Sequence, residues 1–579
     1  MQQVKIFMAA IALFTMSATG IAATYYVAPA PAGDDGNTGT QAAPFATIQR
    51  ALDAITPENC WKSVIRIEAG TYQIGSELKP TSGTYTFTVQ SVSGDPSDVT
   101  IDAQGTVRCF NSTGATGISF EGITFINGSA SGNGGGVLAT DKCTFDNCVV
   151  SNCTATGRGG GIYLSNTSGS SIISNCRIRN CSGDNRGGGL CMECSTVCIV
   201  DNCDISGNTV SQVYGGGGIF AKNVTIRNCT VTNNVCTYSG SGGTSGGSGI
   251  RLLDYGAIDG CLVKDNTFEN DCADYNGGGS AVWLVNGASL VNSAIIGNSG
   301  SRSVGLQWTN CGGILVSNCL FKSNVARRTD ANGRGGVLSL FSLTSDSLIT
   351  DCRFIDNEAK AGGGLVEMRL DSGSKDAALT IRNCLMSGNV QNAESGLFWL
   401  NSNKSASAHR FILENCTIVS NTIPSGPVVV PYWETDFTSR NFVFVKGCAI
   451  LFNNGKAAFD DTYKASANVT YNCTELSGMS EGNRTYDSSK PLFEDLVNGN
   501  YRPAAGSQLL NAVPAAAWMG DGSKRSPSRD LGTWYELRTV GTYGVDVVWT
   551  DTVPRLHGTA ADIGCFEYWM PPGLMLFVR

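Results

Sequence analysis

The sequence is short of charge, of histidine and of long apolar runs. Charged residues make up 15% of the 579, with a net charge of −8. That balance gives no electrostatic footprint for nucleic acid or anionic lipid. No stretch beyond the first residues is long and apolar enough to span a bilayer. Disorder is excluded as well, because 42% of the residues are hydrophobic and evenly spread. What the chain has instead is 72 glycines and 23 cysteines. Abundant glycine with little charge suits short strands and tight turns, with little helix.

The first residues have the form of an export signal. Lys5 precedes an apolar core, Ile6 to Met16, and small residues lead to Ala22 and Ala23. The apolar run is too short for a membrane anchor. Residues 1–23 are therefore expected to be removed, leaving a secreted protein, extracellular or on the outer cell surface. Exported cysteines usually pair, yet the count is odd, and most of the cysteines fall in one repeated column.

That column is Asn-Cys-x-apolar. It recurs at Cys148, Cys176, Cys203, Cys229, Cys319, Cys384 and Cys416, with Cys261, Cys352 and Cys448 as variants and Ser293 as a serine version. Two residues on stand Val150, Ile178, Ile205, Val231, Val263, Ile295, Phe321, Phe354, Met386, Ile418 and Ile450. The residue between varies, as in Arg177, Asp204, Thr230, Leu320 and Arg353. This alternation predicts a strand with the cysteine face buried and the variable residue outside. Five residues after the cysteine comes asparagine: Asn208, Asn234, Asn266, Asn298, Asn324, Asn357, Asn389, Asn421 and Asn453, with Cys153 and Cys181 in the first two repeats. Asparagine tolerates left-handed turns, and its amide both donates and accepts, so these positions are expected to form a structural hydrogen-bonded ladder.

A variable loop, a glycine cluster and another strand complete each repeat, as at Gly159-Gly160-Gly161 and Gly187-Gly188-Gly189. No helix with Lys and Ser/Thr follows, so these glycines are read as tight turns and not as a phosphate loop. Repeats of roughly 25 to 33 residues are too short for propeller blades. They predict an all-β, right-handed parallel β-helix solenoid of about 12 to 13 coils.

Three stretches carry resemblances. Residues 24–73, with Tyr25-Tyr26-Val27-Ala28 and Ala43-Pro44-Phe45-Ala46-Thr47-Ile48-Gln49, resemble the N-terminal segment of pectate-lyase-like β-helix proteins. Residues 117–454, with Phe125-Ile126-Asn127 and Phe354-Ile355-Asp356-Asn357, resemble the repeats of polymorphic outer-membrane proteins. The end, with Gly499-Asn500-Tyr501-Arg502-Pro503 and Asp562-Ile563-Gly564-Cys565-Phe566, resembles the choice-of-anchor Q domain of bacterial surface proteins. The resemblances imply an exported bacterial protein. The expected partition is 1–23 signal, 24–116 capping segment, 117–480 coils, 481–570 C-terminal capping region and 571–579 tail.

No catalytic set of these families maps onto the chain. Glycoside hydrolysis needs two facing carboxylates. Lyase chemistry needs a base and a partner for the uronate, often calcium, so calcium is an expected cofactor only if the protein is a lyase. The only histidines are His409 and His557, and neither stands in the Gly-His-Gly of polygalacturonases. The best local constellation is the loop Thr267 to Asn276, with Glu269, Asp271, Asp274 and Tyr275; Tyr238 holds the equivalent place one coil earlier. Carboxylates beside tyrosines can bind calcium or stack on sugars, although a solvated polar loop has the same composition. Cys236 and Cys272 leave the same corner on adjacent coils and are expected to form a disulfide holding these loops together. Arg327, Arg328 and Arg334 stand two coils later, able to meet an acidic glycan.

Cys191, Cys194, Cys198 and Cys203 have a metal-like spacing, but Cys203 belongs to the interior column, so no metal site is expected. Trp283, Trp308 and Trp399 are expected to face the core. If the loops are not the site, the outward strand face around Tyr163, Arg251 and Gln307 is the alternative. These features predict a β-helix presenting stacked loops for binding or adhesion to a polysaccharide or cell-surface partner, with no nucleic acid and no transmembrane segment. A polysaccharide lyase or glycoside hydrolase with an unfamiliar catalytic set is the rival reading.

Overall fold

The computed structural model describes residues 22–550 and 560–561, apart from 57–58, 82–85, 167–168, 213–214, 238–245, 270–278, 302, 312, 328–335, 361–363, 371–376, 393–395, 403–409, 425, 433–442, 455, 460–467, 480–481, 499, 511–512 and 515–533. Each coil runs through up to four strands. In one coil these are Ile162–Asn166, Ile172–Ser174, Arg177–Arg179 and Ser182–Gly183. Every strand pairs in parallel with its counterparts one coil before and after, as Ile162 does with Val137 and Leu190. Four ladders result. The first and second merge into a 26-stranded sheet, because Leu190–Asp201 and Ile219–Arg227 run through both. The third ladder has 16 strands and the short fourth has 10. The solenoid comprises about 11 turns, with further strands at each end.

The corners explain the sequence columns. Between the second and third strands sits a residue in the left-handed region, such as Asn175 (φ 56°), Asn202 (φ 50°) or Asn228 (φ 53°). Asparagine accepts this conformation at low cost. The next residue is the cysteine, whose sulfur points inward. Cys176 takes the backbone N–H of Cys148 (3.4 Å), and Cys203 takes that of Cys176 (3.4 Å). Ser293 does the same for Cys261 (3.1 Å) and Asn472 for Cys448 (2.8 Å). The following corner repeats the device. After Asn233 (φ 55°) comes a member of the asparagine column, Asn234, and after Asn180 (φ 53°) its cysteine counterpart, Cys181. Asn208 Nδ2 donates to Asn234 Oδ1 (3.0 Å), Asn234 to Asn266 (2.9 Å), and so on to Asn453. Each Nδ2 also reaches a strand carbonyl, as Asn266 does with Val231 (2.9 Å). Both columns supply the same thing, an acceptor for a backbone N–H that the bend removes from its ladder.

Inside, Ile295, Phe321, Phe354 and Ile418 stack in one continuous apolar core. Cys203, Cys229, Cys319, Cys352, Cys384, Cys416 and Cys448 are buried, unbridged thiols. The N-terminal end is closed by a short helix, Ile48–Asp53, capped by the Thr47 side chain and laying Ile48, Ala51 and Leu52 on the core.

Two expectations about facing need correction. Leu320, Arg353 and Asp204 point out of the coil but are buried. Leu320 is covered by the chain's own C-terminal hairpin, Trp534–Val540 with Gly544–Thr550. Its Val545 and Val547 pack on Ala294 and Leu320. Val545 N–H donates to Gly260 (2.9 Å), Asn202 Oδ1 accepts from Thr542 (2.6 Å) and Tyr543 (3.0 Å), and Arg177 Nε donates to the Tyr543 hydroxyl (2.6 Å). Further along, Leu492, Tyr501 and Leu509 cover Leu385, Val419 and Leu451. The third-ladder face is thus strapped, which strand parity alone does not reveal. Trp283 and Trp399 also depart from expectation. Their strand neighbours Val282, Leu284, Phe398 and Leu400 fill the core, so both tryptophans stand on the outer side of the first ladder. Parity with Ala281 and Leu397 does not carry into these strands, because Ala281 and Val282, and likewise Leu397 and Phe398, both line the core. The side chain of Trp308 lies outside the described residues.

Candidate functional site

Of the loop constellation, Tyr238, Asp271, Cys272, Asp274 and Tyr275 lie outside the described residues, as do Arg328, Arg334, His409 and His557. Glu269 is exposed, and its N–H donates to the Cys236 carbonyl (2.9 Å). Cys236 is buried in register between Val210 and Phe268. Arg327 turns back across two coils, and its guanidinium donates to the carbonyls of Phe268 and Glu269. That use is structural. The four clustered cysteines do not converge: Cys191 points out of the first ladder, whereas Cys194, Cys198 and Cys203 line the core.

The alternative face is better defined. Residues pointing off the first ladder form one column in register: Tyr163, Cys191, Phe220, Arg251, Trp283, Gln307, Ser339, Glu367, Trp399. Tyr163, Arg251 and Gln307 therefore share a face, as expected. The Arg251 guanidinium lies 4.1 Å from the Trp283 ring centroid and 5.7 Å from that of Phe220. Ser339 Oγ is 3.1 Å from Glu367 Oε2. These members are almost wholly buried.

The solvent-reaching part of the face is its N-terminal end. Arg158 and Arg186 each stand immediately before a glycine turn on adjacent coils, and both reach Glu193. Arg158 Nη1 donates to Glu193 Oε2 (2.6 Å) and Arg186 Nη1 to Oε1 (2.8 Å). The Tyr163 hydroxyl donates to Oε2 as well (2.9 Å). Arg186 also lies 4.9 Å from the Phe220 centroid. Side-chain exposures are 34% for Arg158, 24% for Arg186 and 19% for Glu193, so solvent reaches all three. Beside Glu193 in register stand Ser165 and Lys222. The turns that aim the arginines need glycine. Gly159 has φ +66°, and a Cβ on Gly160 would lie 2.3 Å from the Gly188 carbonyl oxygen.

The cluster combines fixed donors with a fixed acceptor. Burial, and then the hydrogen bond to Glu193, push the Tyr163 phenol up, so it stays protonated at neutral pH and does not act as a base. The carboxylate described in the outward column lies far from Glu193. Glu367 is six coils away in register, about 29 Å at ~4.8 Å per coil, whereas paired glycosidase carboxylates stand roughly 5–9.5 Å apart. Asp254, two coils off, is engaged by Lys222 (3.5 Å) and Asn286 (2.8 Å). Sequence reasoning passed over Arg158, Arg186 and Glu193. The available signal was an arginine directly before Gly-Gly-Gly in two successive repeats.

The fold and this outer face define a right-handed parallel β-helix. The family model described as "Right handed beta helix region" matches residues 105–299. No curated protein matches the chain. Among solved structures, a pectate lyase is 14% identical, covering 95% of this chain and 97% of its own, with a TM-score of 0.32. A pectin methylesterase from Aspergillus niger is 16% identical over 53% of this chain and 87% of its own, with a TM-score of 0.28. A mannuronan C-5 epimerase module from Azotobacter vinelandii is 10% identical over 66% and 89%, with a TM-score of 0.27.

Proposed function

We propose that this protein is an exported glycan-binding β-helix that holds a polysaccharide without cleaving it, using Arg158, Arg186, Glu193 and Tyr163. One observation carries the reading: two arginines on adjacent coils share one carboxylate at the solvent edge of a long ordered face. Neighbouring sugar hydroxyls each need a donor and an acceptor, and this set offers both in fixed positions. Holding Glu193 from three sides lowers the entropy lost on binding. A linear polymer also suits a solenoid, since successive coils repeat along its axis at ~4.8 Å. The carboxylate spacing along the first ladder favours retention over hydrolysis.

The test is a panel of neutral and uronate-containing polysaccharides. Affinity electrophoresis reads retention, while reducing-end and unsaturated-product assays read cleavage with and without calcium. Retention that disappears in Glu193→Gln and in Arg186→Ala, with no new ends, supports the proposal. New reducing ends or unsaturated products would make it a hydrolase or a lyase instead. Retention unchanged in both variants would move binding to another surface, the Glu269 corner being the next to probe.

A further inference from the structure

Tyr255 is 84% exposed and stands where the backbone favours glycine. It lies at the corner between the first-ladder strand Ile250–Leu253 and the second-ladder strand Ala257–Asp259. Asp254 (φ 53°) and Tyr255 (φ 49°) are both in the left-handed region. One coil later the same corner is made by Asn286 (φ 57°) and Gly287 (φ 71°). The two corners are in register. Leu253 pairs with Val285, Asp254 N–H donates to the Val285 carbonyl (3.1 Å), and Tyr255 N–H donates to that of Asn286 (3.0 Å). Asn-Gly is the pair that two consecutive left-handed residues prefer. A tyrosine in the glycine place carries backbone strain, because its Cβ crowds its own backbone there. A ring so exposed recovers little of that cost by packing on the protein. Strain of this kind clusters at ligand sites.

We propose that Tyr255 is a stacking platform for a pyranose ring of the same polysaccharide that Glu193 engages. The inference rests on the glycan-binding role proposed for Arg158, Arg186 and Glu193, and extends it along the axis. Glu193, Lys222 and Leu253 are register neighbours on successive coils. The tyrosine corner therefore lies two coils beyond Glu193, about 10 Å at ~4.8 Å per coil. A pyranose presents an apolar C–H face, with hydroxyls around its edge. The tyrosine ring offers an apolar surface to that face. Lys222 Nζ and Asp254 Oδ2 stand 3.5 Å apart beside it, with side-chain exposures of 48% and 29%. They supply a donor and an acceptor for the hydroxyls. Asn286 Nδ2 holds the Asp254 carboxylate in place (2.8 Å). The ligand is thus a linear polymer of pyranose units that runs across the coils of Glu193, Lys222 and Tyr255, and not a single sugar.

Affinity electrophoresis on the polysaccharide panel compares the wild-type chain with Tyr255→Gly, Tyr255→Phe and Glu193→Gln. Tyr255→Gly removes the ring and relieves the strain, so its urea midpoint should not fall below that of the wild type. Its retention by the polymer should weaken by about fivefold. Tyr255→Phe keeps the ring and should keep the retention. Retention unchanged in Tyr255→Gly but lost in Glu193→Gln would overturn the stacking role and leave the glycan site standing. Retention unchanged in both variants, or no retention by the wild type, would overturn the site at Glu193 and this extension with it. Equal loss in Tyr255→Phe and Tyr255→Gly would assign the effect to the hydroxyl and overturn stacking. A lower urea midpoint in Tyr255→Gly would show that the ring is kept for stability, which overturns the proposal as well.

Discussion

The first and third ladders turn opposite kinds of outer surface away from one shared core. Outside the third ladder the side chains Leu262, Ala294, Ile296 and Leu320 are apolar, and the C-terminal hairpin lies across them. Outside the first ladder stand tyrosine, arginine, tryptophan, glutamine and glutamate, with Arg158, Arg186 and Glu193 reaching solvent at one end. Both faces consist of strands of the same repeat. A parallel sheet has no preference for what its outer side chains meet, so each face records what covers it. The third has been made into a second core for the strap. The first keeps polar and aromatic side chains, and the proposed binding role rests on that difference.

The largest expected effect lies in the core that both faces share. Ile295 is fully buried in the main core. Ile295→Asp places a charge there without a partner, and the expected loss exceeds about 4 kcal/mol, enough to unfold many proteins. Circular dichroism should lose the sheet signal. Wild-type stability would show that the inward parity of the third ladder is wrong.

Alkaline pH should act on the same core. Burial raises the Cys143 and Cys473 thiols to about 12, and it raises Cys352, Cys384, Cys416 and Cys448 as well. In the unfolded chain a thiol titrates near 8.5. The folded protein therefore keeps protons that the unfolded chain loses. This contribution is complete below about pH 8.5 and is lost as pH rises toward 12, by about 1.4 kcal/mol per pH unit for each such thiol. The urea midpoint should fall from pH 9 to pH 10.5. A flat profile would argue that the column thiols are bridged or absent from the core.

Leu320→Asp separates the two faces directly. On a bare outer face this change would be nearly neutral. Under Val545 and Val547 it buries a charge, and the expected loss is about 2–4 kcal/mol, with the hairpin released. Limited proteolysis should then cut within residues 534–550 while the coils resist. Resistance of the hairpin in this variant would mean that the strap does not depend on the apolar stripe.

Much of this architecture could be read from the residues, because a repeat reports its geometry many times. Asn-Cys-x-apolar gave the third ladder and its bend, and the asparagine column gave a hydrogen-bonded stack. The strap could not be read in that way, since its contacts with the coils span more than 200 residues, as between Asn318 and Val547. Strand parity was correct where the cysteine marks the register and failed at Trp283 and Trp399, where two consecutive residues at the strand start, Ala281-Val282 and Leu397-Phe398, both line the core. The site was half legible. Tyr163, Arg251 and Gln307 were placed on one face, whereas Glu193 sits in the irregular strand whose repeat is hardest to align.

The smallest change in stability should accompany the largest change in function. Arg186→Ala removes one of three groups holding Glu193, at a site where solvent reaches both arginines and the carboxylate. Partly exposed ion pairs contribute about 0–1 kcal/mol, and Arg158 and Tyr163 still hold the carboxylate, so the denaturation midpoint should hardly move. Glycan retention should drop by tenfold or more, which corresponds to about 1.4 kcal/mol, because the lost guanidinium takes with it both a donor to the ligand and part of the order imposed on Glu193. Arg186→Lys distinguishes these two losses. A lysine restores the charge but offers no planar fork, so it should recover little of the retention if the donor geometry matters. Full recovery would show that the first-ladder face attracts its ligand by charge alone. The contrast with the strapped face would then rest on electrostatics and not on a built site.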